Sequence, residues 1–125
     1  MIFADPVGNY IDKNGLYSLV ITEAASHVGR FKGTFTVKDT PEGEIQYIIG
    51  DTDLAIYAYT ENKNIAGISF IGFERPDDWR FVLLDSWAGS IKSNGDLLMS
   101  GSRSYTKLDG TCQVFSFNNI TLTKK

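Results

Sequence analysis

The strongest constraint in this sequence is the regular return of tight-turn signals between short bursts of strand-forming residues. Lys13-Asn14-Gly15, His27-Val28-Gly29, Pro41-Glu42-Gly43, Glu61-Asn62-Lys63-Asn64, Arg75-Pro76-Asp77-Asp78, Ser93-Asn94-Gly95 and Lys107-Leu108-Asp109-Gly110 punctuate the chain. They recur mostly every ~8–18 residues, the spacing of an all-β meander. Asn-Gly and Asp-Gly pairs accept the positive φ that hairpin turns demand. No window sustains a 3.6-residue apolar stripe. Val20-Ile21-Thr22-Glu23-Ala24-Ala25-Ser26 comes nearest, and its β-branched start reads as the end of a strand.

The bursts predict strands over 7–13, 16–23, 30–38, 44–50, 54–60, 65–74, 79–92, 96–105 and 112–123. Alternation is clean in several. Phe31, Gly33, Phe35 and Val37 share one face against Arg30, Lys32, Thr34 and Thr36, while Ile45, Tyr47 and Ile49 oppose Glu44, Gln46 and Ile48. One-sided burial of this kind suits an antiparallel sheet that closes on itself and so hides its edges. The expected fold is all-β, an antiparallel up-and-down β-barrel of about eight strands. A length of 125 residues fits one such domain over 1–125.

Charge and rare residues exclude several function classes. Twelve Lys+Arg against fifteen Asp+Glu give a net charge of −3, without the basic stripe that nucleic-acid phosphates require. One His and one Cys rule out an intrachain disulfide and a metal cage built from Cys and His alone. No apolar run approaches the ~20 residues of a membrane helix, so no membrane partner is expected. Met1-Ile2-Phe3-Ala4-Asp5-Pro6 does not read as a signal peptide. A cytoplasmic protein and a secreted one whose signal has been removed both fit.

Gly8-Asn9-Tyr10-Ile11-Asp12-Lys13-Asn14-Gly15-Leu16, taken in order with the stretches 28–36, 65–73, 85–90 and 118–123, resembles the avidin/streptavidin family, whose opening is Gly-x-Trp-x-Asn-x-x-Gly-Ser. Val28-Gly29-Arg30-Phe31-Lys32-Gly33-Thr34-Phe35-Thr36 resembles its third strand, and Ile65 to Phe73 its fifth. Asp85-Ser86-Trp87-Ala88-Gly89-Ser90 is similar to Thr-Thr-Trp-Thr-Gly-Gln in the sixth, and Asn118 to Thr123 resembles the closing strand. Tyr47–Glu61 fits worst. The resemblance implies an avidin-like barrel, and it implies a homo-oligomer, a dimer or tetramer joined through barrel faces. The apolar outer rows of 65–74, 79–92 and 112–123, with Val82, Leu84 and Ile91 or their neighbours, are the expected contacts.

The family's biotin contacts carry over poorly. Leu16 stands at the Ser that holds the ureido oxygen, Phe35 at the Tyr and Asp12 at the Asn. Two donors are lost and the third is an acceptor when ionised, at about 1–3 kcal/mol for each missing partner. Asp85 replaces the Thr that meets the biotin sulfur, and Phe73 replaces a Trp, while Trp87 keeps its aromatic ring. Ser102 falls near the seventh-strand Trp, and nothing around Thr111-Cys112 matches the Trp lent by a neighbouring subunit. Asn119 sits at the last ureido contact. The expected ligand is not biotin.

Two functional expectations follow. In the first, the chain is a non-enzymatic binding barrel without a cofactor. Asp12, Phe35, Phe73, Asp85, Trp87 and Asn119 then line one barrel end as a polar-floored aromatic pocket for a small cationic or amide-bearing molecule. In the second, Leu16, Phe35, Val37, Phe73 and Trp87 fill the interior and Asp12 is a turn carboxylate. The chain then acts on a protein partner through its loops, as an inhibitor or secreted effector. Acid–base catalysis by Asp12 or Asp85 ranks last, because it needs a cavity and a positioned partner.

The remaining reactive residues read blandly. His27 lies between two strands with no nucleophile signature around it, and reads as a solvated loop residue. Cys112 lacks the basic neighbours that activate a thiol and is expected as a small buried hydrophobe. Asp77-Asp78-Trp79-Arg80 reads as a charged hairpin loop with a packed Trp; two adjacent carboxylates are a weak Ca²⁺ signal, whereas exposed Trp and Arg suit protein interfaces. Ser100-Gly101-Ser102-Arg103-Ser104-Tyr105 resembles the Ser-Gly-x-x-Tyr loop of bacterial c-type lysozyme inhibitors, with one residue inserted, and fits a plain strand equally.

Overall fold

A computed structural model of the chain describes residues 6–25, 28–59 and 66–125. Its nine strands are β1 (Gly8–Ile11), β2 (Tyr17–Ala25), β3 (Arg30–Thr40), β4 (Gly43–Ile49), β5 (Ala55–Tyr59), β6 (Ala66–Glu74), β7 (Phe81–Ile91), β8 (Leu97–Lys107) and β9 (Cys112–Lys124). Each lies within two residues of its expected span at either end. His27, Ile65 and the Glu61–Asn64 turn lie outside the described residues.

Every pairing is antiparallel, and the sheet closes in a barrel-like ring. β4 and β5 follow one another along β3, through Gly33↔Ile49 and then Arg30↔Ile56, so together they occupy one place in the ring. Period-two alternation decides which side chains point inward. Phe31, Phe35 and Val37 on β3, Tyr47 and Ile49 on β4, Ile68 and Phe70 on β6, and Leu83 and Trp87 on β7 are buried as the pattern requires.

Ladders hold only one end of the ring shut. β1 has four residues and meets β9 at just Tyr10↔Lys124 and Ile11↔Thr123. On the opposite side β5 pairs with β6 from Ala55↔Phe70 to Tyr59↔Ala66, but among the described residues no ladder joins β4 to β6. At the end carrying the turns after β1, β3, β6 and β8, the wall therefore splays into β2-β3-β4 and β6-β7-β8-β9. Side chains bridge the two seams. The Tyr47 ring lies on Gly72, where an added Cβ would stand 2.7 Å from a ring carbon. Across the other seam, Tyr17 meets Phe117 edge-on at 5.8 Å between centroids.

Several expectations need correction. Cys112 is exposed, because it opens β9 at the splayed edge instead of inside the core. Trp79 and Arg80 belong to the turn before β7, since Trp79 adopts φ 62° and cannot continue a strand. Trp79 is also exposed rather than packed into the core. Of the expected outer contacts, Leu84 is exposed, but Ile91 is buried on the inner row of β7.

Candidate functional site

Asp85 and Trp87 are two residues apart on β7, so both point into the barrel. Arg103 on β8 stands directly across from Asp85 in the β7–β8 register. Its Nε and Nη2 each donate to the Asp85 carboxylate at 2.8 Å, a bidentate pair. The same carboxylate accepts from the Tyr47 hydroxyl at 2.8 Å and from Trp87 Nε1 at 2.9 Å. Asp85 and Arg103 are each 1% exposed, so the charges survive burial only because they are paired and hydrogen-bonded.

Electrostatics follow this arrangement. Burial, with the Asp85 charge beside it, raises the Tyr47 phenol far above its ordinary value. Burial alone would lower the Arg103 guanidinium, but its bonds to Asp85 outweigh that effect and leave it raised. Arg103 also lies 4.8 Å from the Phe117 ring centroid and 3.8 Å from an Asp39 carboxylate oxygen. Asp39 accepts a 2.8 Å bond from the Tyr17 hydroxyl, which burial and then Asp39 itself push upward. The polar network thus runs from the core to exposed Asp39 at the splayed end.

Of the six residues expected to form one pocket, Phe35, Asp85 and Trp87 meet in the core, and Asp12, Phe73 and Asn119 lie elsewhere. Phe35 is buried beneath the network, 5.2 Å from Trp87 and 6.4 Å from Tyr47 between ring centroids. Phe73 faces outward at 42% exposure, because the inner row of β6 runs Ala66, Ile68, Phe70 and Gly72. Asp12 is a turn carboxylate: Oδ1 accepts from the Tyr17 amide at 2.8 Å and Oδ2 from the Asn14 amide at 3.3 Å. Asn119 lies in an exposed bulge of β9, with φ 54°, where Asn118 and Asn119 oppose Ser100. Its amide donates to Ser100 Oγ at 2.9 Å.

Asp12 and Asn119 do share one feature. They line opposite sides of a cleft of about 500 Å³ between the β1–β2 turn and β9, with Leu16, Tyr17 and Ile120 as its apolar part. Arg103 and Tyr47, the donors that organise Asp85, escaped the sequence reading as site residues. The signal was present: Arg103 shares the inner row of β8 with Leu97, Met99 and Tyr105, and Tyr47 that of β4 with Ile45 and Ile49. Ser100–Tyr105 lies wholly within β8.

A second concentration of unusual features sits on the splayed rim. Trp79 is 62% exposed and closes a turn in which its amide donates to the Pro76 carbonyl at 3.0 Å. The Arg75 guanidinium lies 3.7 Å above its ring. Positive φ in a bulky residue is strained, and such strain collects at working surfaces. The Leu108 amide donates to the Arg80 carbonyl at 3.1 Å, bringing the β8–β9 turn alongside, and Leu108 is itself 76% exposed. Asp109 in that turn accepts from the Thr111 amide at 2.9 Å, which lowers its carboxyl below the ordinary value.

Among the described residues no three His, Cys, Asp or Glu side chains stand close enough together to hold a metal ion. Comparison of the sequence with models of known protein families and with curated proteins gives no match.

Proposed function

We propose that the chain is a non-enzymatic protein-interaction module whose barrel interior is filled by its own side chains and whose partner meets the splayed rim. The observation that carries this reading is the state of Asp85. The most deeply buried carboxylate among the described residues spends its acceptors on Arg103, Tyr47 and Trp87, leaving none for a cationic or amide ligand. The resemblance to avidin barrels supports a binding role, and the lost ureido donors agree with a site given over to packing.

The rim supplies what an interface uses. Trp79 held by Arg75, with Arg80 and Leu108 beside it, is an exposed aromatic, cationic and apolar group of the kind that dominates binding energy. A second reading, a small amide-bearing molecule in the cleft between Asp12 and Asn119, is favoured by the cleft volume of about 500 Å³.

Native mass spectrometry separates the two. The interaction reading expects a chain mass free of retained small molecules. It also expects a protein partner, found by affinity capture and measured by titration, whose affinity falls about tenfold or more with Trp79→Ala. A stoichiometric small-molecule adduct that disappears with Asn119→Ala and persists with Trp79→Ala would overturn it in favour of the cleft.

A further inference from the structure

The edge of β9 at the splayed end carries an inference beyond the rim. In the β8–β9 hairpin the Lys107 amide donates to the Thr111 carbonyl at 2.8 Å, which marks that pair as hydrogen-bonded. Antiparallel ladders alternate bonded and non-bonded pairs. Along the register Tyr105↔Gln113, Arg103↔Phe115 and Gly101↔Phe117 are therefore the bonded pairs. The backbone N–H and C=O groups of Cys112, Val114 and Ser116 consequently point away from β8.

Nothing among the described residues pairs with that side, because β1 reaches β9 only at Thr123 and Lys124. Cys112, Val114 and Ser116 are all exposed, Val114 at 76%. The usual protections of an edge are missing as well: no charged residue and no proline occur from Gly110 to Thr123. Only the bulge at Asn118 and Asn119 interrupts the run, and it confines the open edge to the first half of β9. The β1–β2 turn lies beside Asn119, Ile120, Thr121 and Thr123, whereas Cys112, Gln113, Val114 and Ser116 are exposed. The other seam offers no such room, since Tyr47 fills it against Gly72.

We propose that this edge is an isologous interface at which two copies of the chain pair β9 against β9, antiparallel and centred on Val114. This register sets Val114 against its own equivalent and Cys112 against Ser116 of the partner subunit. All three outward residues of each copy then find hydrogen-bonding partners, two bonds to each pair. A second copy is the occupant because the edge is self-complementary. The outward residues keep the same parity when the strand is reversed, and the charge-free stretch 112–116 brings no like charges face to face. The exposed Val114 side chains cover each other, and Phe115 gains Gln113 of the partner subunit beside it. A two-fold contact of this kind closes on itself, so the edge ends in a dimer rather than a fibre.

The test is the solution mass of the full chain by sedimentation velocity, for wild type, Val114→Pro and Val114→Lys. Proline at Val114 removes an N–H that bonds nothing within the chain and is compatible with an edge strand. Lysine places two like charges at the two-fold axis without touching the core. Wild type is expected to be dimeric at micromolar concentration, and each variant to weaken dimerisation by about tenfold or more with unchanged circular dichroism. In a Cys112→Ser background, Val114→Cys is expected to oxidise to a covalent dimer, since a hydrogen-bonded pair has Cα atoms ~5.5 Å apart, within disulfide reach. A monomeric wild type, a dimer indifferent to both variants, or a dimer that Val114→Cys does not cross-link overturns the proposal.

Discussion

Asp85 and Arg103 face each other across β7 and β8 and meet through two parallel 2.8 Å hydrogen bonds at 1% exposure. A buried pair of this kind is strained by the loss of either member more than by the loss of both. Arg103→Leu is expected to lower stability by about 3–5 kcal/mol, because it strands the Asp85 charge. Asp85→Leu with Arg103→Met and Tyr47→Phe removes both charges and the Tyr47 donor together, leaving only Trp87 Nε1 without its acceptor. Urea denaturation is expected to place this combination above Arg103→Leu alone; a combined loss equal to the sum of the single losses would contradict the electrostatic account.

Trp87 and Gly72 report on packing around the same carboxylate. Trp87 contacts Tyr17, Phe35 and Phe117 within 5.8 Å between ring centroids, so Trp87→Ala is expected to cost about 3–5 kcal/mol. Gly72→Ala pushes a methyl group into the Tyr47 ring and is expected to cost about 1–3 kcal/mol through overpacking. Thermal denaturation measures both. A stable Trp87→Ala variant with an open, ligand-accepting interior would favour the pocket reading instead.

Alkali is expected to unfold the protein through its tyrosines. Tyr17 and Tyr47 are raised by burial and by the carboxylates they serve, and the bond to Glu42 pushes Tyr105 up to about 12. A raised pKa means that the neutral form is stabilised in the folded state. That contribution is complete below the unfolded value of ~10 and is lost as pH climbs through the folded value. Near-ultraviolet titration is expected to show these phenols ionising late, together with the loss of circular dichroism. Full ionisation near pH 10 in a chain that stays folded would contradict the hydrogen-bonding scheme.

Trp79 is expected to separate stability from binding. Its φ of 62° is one that glycine adopts without strain, and its side chain is mostly in solvent. Trp79→Gly is therefore expected to leave stability unchanged or to raise it by up to about 1 kcal/mol, while partner affinity falls. Calorimetry and titration on the same sample check both halves. A marked loss of stability would mean that the Arg75–Trp79 stack is structural.

Local pattern decided the strands, their turns and most inward rows, because side-chain direction in a strand depends only on parity and turns depend on a few residue types. Phe31, Phe35, Tyr47 and Trp87 were legible in this way, and so was the turn role of Asp12. Phe73 was not, since motif likeness overrode the parity that Gly72 sets on β6. Pairing across the barrel needs registers between strands, and no single strand contains them. The meeting of Asp85 with Arg103 and Tyr47, the seam that Tyr47 closes on Gly72, and the free edge of β9 all arise from how far each strand slides against its neighbour. Burial then turns those contacts into energetics, because a charge deprived of water is held only by partners that the folded chain brings to it.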